Sequence, residues 1–380
     1  VLITGCYTIL GGLRAVIYTD ALQAMVLIVG SITISVIGLL KIGGWGNLVS
    51  VVEPTHFNMF LPSDHPDFPW IGMVFAPPII GVWYWCTDQY IVQRVLSAKN
   101  VSEARKGTIF AGYLKLLPIF MFFIPGLIAY AMTKTGQLSY GSSDQVFPTL
   151  VRELLPSGIR GLVAGGLLAA LMSSLSSVFN SCSTLFTMDI YKKLYPETDE
   201  NKLVFVGRIA TGIVVLSGIL WIPFIKVVSG AGLYTYLQSV QAYIAPPIAS
   251  VFLLGLFWSR INASGALAAL VGGFIAGMIR LGLEIKKSTL TVDGIWYQIA
   301  DLNFLYFAIF SFLTCVVVLI AVSMLTPPPD LEKINGLTYD TSKKNIADTD
   351  HPKSDKINSY IILAILALIL IYFSPIGIGG

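Results

Sequence analysis

Apolar residues in this chain run in long blocks rather than alternating with polar ones. One partial run covers about 1–12, and full-length runs follow at about 15–40, 70–93, 108–133, 158–188, 204–225, 231–257, 262–283, 303–326 and 359–378. A bilayer core of about 30 Å takes roughly 20 helical residues to cross. The pattern therefore predicts nine spans and the tail of one more. Val16 to Leu40 shows the strength of the signal, with Asp20 its single charge. The blocks are too long and too free of alternation for barrel strands, so the fold class is an all-α integral membrane protein.

The connections sort themselves by charge. Residues 327–357 are rich in Asp, Lys, Ser and Thr and predict a solvated cytoplasmic loop. The stretch from Gly43 to Pro69, with its prolines and aspartates, predicts an external one. Cytoplasmic connections carry an excess of Lys and Arg. With the 93–107 connection inside, alternation also places Arg14 and the connections near 189–208, 258–262 and 327–357 inside. Fifteen of the 24 basic residues then face the cytoplasm and eight face out, with the C-terminus outside. The one left over, Lys115, lies within a span.

Composition removes several function classes. The chain is 55% hydrophobic and 12% charged, against about a quarter charged in soluble domains. A net charge of +3 with this apolar content excludes disorder. No polar stretch is long enough to fold as a soluble catalytic domain, and no nucleotide-binding glycine motif supports an ATP-driven pump. An enzyme is not expected, nor is nucleic acid among the partners. Cys6, Cys86, Cys182 and Cys315 share no close spacing, and His56, His65 and His351 lie in polar connections without metal-ligand spacing.

Polar groups at membrane depth mark a pathway or a site by default. Lys115, flanked by Leu114, Leu116 and Leu117, is the central ionisable residue. Asp20 and Asp88 lie nearer the cytoplasmic edge, and Asp88, close to Arg94, reads as half of a structural ion pair. The 158–188 run carries Ser173, Ser174, Ser176 and Ser177. Small residues of this kind permit close helix packing. Adjacent hydroxyls with nearby carbonyls also make a hard-oxygen site that suits sodium. Two matching interruptions, Ala76-Pro77-Pro78-Ile79 and Ala245-Pro246-Pro247-Ile248, predict broken spans, a pointer to a transporter's binding site. Trp83-Tyr84-Trp85 accompanies the first; Tyr234, Tyr236 and Gln238 accompany the second. Aromatic planes beside amide and hydroxyl groups suit a sugar or polyol, and an interfacial aromatic belt is the alternative for Tyr234 and Tyr236.

These residues resemble the sodium/solute symporter family, in its sodium–glucose cotransporter branch. The resemblance rests on Gly11-Gly12-Leu13-Arg14-Ala15-Val16-Ile17-Tyr18-Thr19-Asp20 and on WYWCTDQYIVQR from Trp83 to Arg94. It continues through SSLSSVFNS from Ser173, TMDIYKK from Thr187 and APPIASVFLLGLFW from Ala245, then Gly255-Leu256, Arg260, Gly265-Ala266, Gly272 and Gly273. It covers nearly the whole chain.

The resemblance implies a LeuT-type inverted-repeat fold, with residues 1–257 running from late in the fourth core helix through the tenth. Residues 258–380 would supply additional C-terminal helices. It implies that the Ala170 carbonyl, Ser173 and Ser174 form half of a sodium site, with Asp20 on the ion's exit route. Lys115 and Gln238 would bond sugar hydroxyls, Tyr84 would be the inner gate, and Trp85 and Tyr234 would complete the aromatic walls. With the first three core helices outside the sequence, the chain alone is expected not to transport. Gly81 departs from the branch, which tends to place a polar side chain there. The expectation is a sodium-coupled, plasma-membrane symporter of a glucose- or galactose-like sugar. Myo-inositol, sialic acid, proline, a monocarboxylate, or a proton-coupled mechanism stand as alternatives.

Overall fold

The computed structural model describes residues 1–10, 13–228, 233–342 and 353–380. In chain order its helices are α1 (Leu2–Leu10), α2 (Leu13–Ile42), α3 (Trp45–Val51), α4 (Pro54–Phe57), α5 (Trp70–Val82) and α6 (Gln89–Leu96). Next come α7 (Val101–Leu114), α8 (Ile124–Lys134), α9 (Val146–Leu154), α10 (Ser157–Leu185), α11 (Lys192–Leu194) and α12 (Glu200–Val228). The last are α13 (Leu233–Phe257), α14 (Ala263–Ile285), α15 (Ile295–Asp301), α16 (Phe304–Leu325), α17 (Leu331–Ile334) and α18 (Lys353–Tyr372). Among the described residues there is no strand, and nine helical stretches are long and apolar enough to cross a bilayer. The molecule is a multi-span membrane protein.

Three spans depart from straight helices. The 70–93 run becomes α5, a π-helical turn over Trp83–Thr87, an extended residue at Asp88 (φ −71°, ψ 117°) and then α6. The 108–133 run breaks at Lys115 and Leu116 and resumes through a π-helical turn over Ile119–Phe123 into α8. Pro118 supplies the cause, since it has no N–H to return to the preceding turn. The 158–188 run continues past α10 through a π-helical turn at Phe186–Tyr191.

The paired prolines, by contrast, do not break their helices. Pro77 and Pro78 lie inside α5, and Pro246 and Pro247 inside α13, which runs unbroken for 25 residues. Apolar neighbours pack against both segments. Ala76 and Ile80 of α5 pack with Ala242 and Ala245 of α13 and with Phe304, Leu305 and Ala308 of α16. Burial of such surface outweighs the few bonds that proline removes. The Tyr243 carbonyl, which Pro247 cannot pair with, faces α14 where Gly277 permits close approach. A Cβ at Gly277 would lie 2.8 Å from that oxygen.

The helices form two compact units, each assembled from two separate stretches of chain. The first comprises Val1–Phe57 with Phe110–Gly230, the second Asn58–Ile109 with Ala231–Gly380. In the first unit α10 packs along α2, α12 and α1. A Cβ at Gly166 would lie 2.6 Å from Val26 of α2, so the two helix backbones need that glycine. At one end of this unit Glu53 gathers Lys134 and Tyr130. Both donate to its carboxylate, the tyrosine at 2.9 Å, while the His56 ring stacks on Tyr130 at 4.2 Å. His56 thus serves α4 packing, and its Nδ1 is 3.6 Å from Glu53.

In the second unit α13, α14 and α16 pack on one another and α5 packs on α13 and α16. The Asn58–Pro69 connection is pinned by many bonds. Asn303 donates to the carbonyls of Pro66 (2.6 Å) and Asp67 (3.0 Å), and Tyr306 donates to Ser63 O (2.7 Å). Arg280, 3% exposed, reaches from α14 to the end of α15, donating to the carbonyls of Ile299 and Leu302 (2.6 Å to the latter). The loop expected over 327–357 ends earlier than its polar composition suggests. Helix α18 starts at Lys353, with Asp355 paired to Arg105 at 3.6 Å, and 343–352 lie outside the described residues, His351 with them.

Candidate functional site

The expected ion ligands all lie on α10 of the first unit. Ala170, Ser173 and Ser174 are spaced i, i+3 and i+4, which places them on one helix face. Ser173 is buried, and Ser174 is exposed in the isolated chain. Further along, Ser176 and Ser177 are buried too. Thr8 of α1 brings its Oγ1 to 2.8 Å from Ser176 Oγ and 2.7 Å from the Thr4 carbonyl. Thr8 is a hydroxyl the sequence pattern gave no reason to single out, because its neighbours are apolar and its partner is 168 residues away. The serines beyond it serve the helix itself. Ser181 returns its hydroxyl to Ser177 O, and Ser183 donates to Gly207 O on α12 at 2.7 Å. The packing reading of the serine-rich span thus holds for its later serines, Ser181 and Ser183. Among the described residues no three His, Cys, Asp or Glu side chains cluster as metal ligands. Hydroxyl and carbonyl oxygens such as those α10 carries are the ligand type that a hard, weakly held cation takes.

Asp20 falls within α2, but its side chain lies outside the described residues, as do Gly11 and Gly12. Lys115 also belongs to the first unit. It follows the last residue of α7, its N–H bonded to Ala111 O at 2.9 Å, and sits in the two-residue break created before Pro118.

The expected solute groups of the second unit fall into two places. Tyr234 and Gln238 are one turn apart on α13, and Gln238 Nε2 donates to the Tyr234 hydroxyl at 3.4 Å. Phe68, from the pinned connection before α5, brings its ring to 6.2 Å from Tyr234. That contact escaped the sequence reading because Phe68 sits in a polar connection far from α13 in the chain.

Tyr84 and Trp85 occupy the π-helical turn, with rings 5.1 Å apart and nearly perpendicular. A π-turn displaces side chains from the regular helical register and recurs at functional sites. The Tyr84 hydroxyl meets that of Tyr90 at 3.0 Å. Asp88, expected as an ion-pair member, accepts the Tyr90 N–H at 3.2 Å and so caps α6. Gly81, one turn before Trp85, has open space around it apart from the Trp85 ring.

Residues 1–273 match the sodium:solute symporter family. The chain belongs to that family. Sodium/myo-inositol cotransporter 2 of Mus musculus is 37% identical over 381 residues, covering 92% of this chain and 57% of that protein. The Oryctolagus cuniculus protein of the same name is 39% identical, covering 90% and 56%. A sodium/mannose cotransporter of Bos taurus is 38% identical, covering 90% and 63%. The chain thus spans somewhat over half the length of the curated relatives it matches. A solved structure of a Na+-coupled sialic acid symporter, substrate-bound and outward-open, superposes with a TM-score of 0.68. The match covers 87% of this chain and 66% of that one at 23% identity. That likeness speaks to the fold, which is the LeuT-type arrangement of this symporter family. The relatives are cotransporters rather than enzymes.

Proposed function

We propose that this chain works in a sodium-coupled symporter that moves a sugar or polyol by alternating access. The observation that carries the reading is relatedness over nine-tenths of the chain to proteins whose names pair sodium with myo-inositol or mannose. The side chains of the second unit suit that cargo. Gln238 and Tyr234 offer an amide and a hydroxyl beside an aromatic plane, and Tyr84 and Trp85 offer two more rings. A polyhydroxylated ring has apolar faces for the aromatics and polar edges for the amide.

In this reading residues 1–257 are core and 258–380 are added helices. Sodium is held by the Ala170 carbonyl, Ser173 and Ser174, with Asp20 on its exit route. Lys115 and Gln238 bond solute hydroxyls, Trp85 and Tyr234 wall the ring, and Tyr84 gates the inner side. Sodium shifts the population toward the outward-open form, and shared binding energy of ion and solute drives the change of access. The protein resides in the plasma membrane with its C-terminus outside. The deciding experiment is uptake by the full-length protein in proteoliposomes of labelled glucose, galactose and myo-inositol, with sodium and with choline in its place. Sodium-dependent uptake of at least one is expected; uptake of none, or uptake indifferent to sodium, would remove the reading.

A further inference from the structure

Tyr84 and Tyr90 meet across a break in the helix. The two side chains stand on opposite sides of a backbone discontinuity. Tyr84 belongs to the π-helical turn that ends at Thr87, and Tyr90 to the first turn of α6. Between them Asp88 is extended, so the helix axis is interrupted there and the two stretches can turn about one residue. Their hydroxyls meet at 3.0 Å and their rings at 6.1 Å, inclined by 67°.

Tyr90 is itself held from two sides. Its N–H is fixed by the Asp88 carboxylate, and the Arg94 guanidinium lies over its ring, 5.3 Å from the centroid. An arginine over an aromatic face restrains the ring by cation–π attraction. The π-turn is fixed in its own right, by the Thr87 hydroxyl donating to Trp83 O at 2.6 Å. Each tyrosine thus rides on a locally rigid support, and the hydroxyl pair bridges the hinge between the supports.

We propose that Tyr90 is the latch of the inner gate: its hydroxyl holds Tyr84 in place, and the gate swings only when that bond is broken. This rests on the reading of Tyr84 as the gate. Tyr90 acts through Tyr84 and is a positioning residue, not one that touches the solute.

The test uses the full-length protein in proteoliposomes loaded with labelled glucose, galactose and myo-inositol, comparing wild type, Y90F, Y84F, Y84A and the Y84F/Y90F double variant. Efflux and exchange are measured alongside the half-saturation constants for sodium and solute. Phenylalanine at 90 keeps the ring and its arginine. Losing one hydrogen bond should speed efflux about two- to tenfold, with both half-saturation constants unchanged. The double variant should be no faster than either single one, because both remove the same bond. Unchanged efflux in Y90F overturns the latch, and a faster Y84F or an altered Y84A then leaves the gate standing. Multiplicative effects in the double variant also overturn it, since Tyr90 would then act elsewhere. Should Y90F fail to reach the membrane, Y84F must by itself reproduce the faster efflux, and a failure to do so overturns the latch. Exchange unaffected by both Y84F and Y84A removes the gate reading itself. Absence of flux of all three solutes in the wild type removes the transport reading.

Discussion

Gln238 donates to the hydroxyl of Tyr234 one turn earlier on the same helix, at 3.4 Å. A bond this long is weak, so the amide is held in place without being committed. In the proposed function an incoming hydroxyl would take the Gln238 donor at little cost, because that bond is already long. Gln238→Ala should therefore raise the solute half-saturation constant about tenfold, the worth of a hydrogen bond at the upper end of its usual range. Tyr234→Phe should raise it less, since the ring remains. Uptake titrated with solute at saturating sodium is the check, and an equal loss of maximal rate with unchanged affinity would contradict it.

Ser173 and Ser174 share a face of α10 yet differ in burial. Ser174→Ala removes an accessible oxygen and should weaken sodium dependence, raising the sodium half-saturation constant about three- to tenfold while sparing solute affinity at saturating sodium. Ser173→Ala should in addition lower the thermal stability of the purified protein, because its neighbours close over it. Sodium titration of uptake for both variants decides the matter; an unmoved sodium constant in Ser174→Ala would count against the ion ligand.

Much of this architecture is legible from side-chain hydrophobicity alone, because a bilayer imposes a length and a polarity on each span. The nine spans and the position of α10 follow from it. What stayed hidden depends on pairing across the chain. Thr8 meets Ser176, and Phe68 meets Tyr234, through contacts between distant segments that no local pattern encodes. The prolines misled for a related reason. A proline removes one donor wherever it stands, but neighbours decide whether the helix yields. In α13 the helix runs on through both prolines, whereas before Pro118 the helix breaks at Lys115.

The Glu53 cluster gives a stability that depends on pH. Lys134 above all, helped by Tyr130, holds the Glu53 carboxyl well below its ordinary range, down to about 2 from 4.5. A depressed carboxyl pKa stabilises the folded state above the unfolded-state value and loses that contribution as pH falls through the folded one. Glu53→Gln should thus melt below wild type by a gap that is constant from neutral pH to about pH 5 and narrows between pH 4.5 and 2. Thermal unfolding in detergent across that range tests it; a gap as wide at pH 3 as at pH 7 would refute it. The cluster is exposed, so added salt should shrink the gap as well.

Arg280 is a different matter, buried on α14 with its guanidinium closing the end of α15. A charged donor to a carbonyl contributes about 1.5–3 kcal/mol, and here two carbonyls depend on one planar fork. Arg280→Ala should lower stability by at least that much. Arg280→Lys should recover little, because an ammonium cannot address both oxygens in the plane. Melting temperatures of the two variants are the measurement, and full rescue by lysine would show that charge alone matters.

The two-stretch construction of each unit sets a timetable for making this protein. Helices α5 and α6 leave the ribosome early, yet α13 and α16, against which α5 packs, are still unmade. The whole of Phe110–Gly230 intervenes, on the order of ten seconds of synthesis at about 5–20 residues per second. During that wait the π-turn bearing Tyr84 stands in the membrane without its neighbours. A nascent chain stalled before Ala231 would hold both stretches of one unit and only the first stretch of the other, whose apolar faces would stand open.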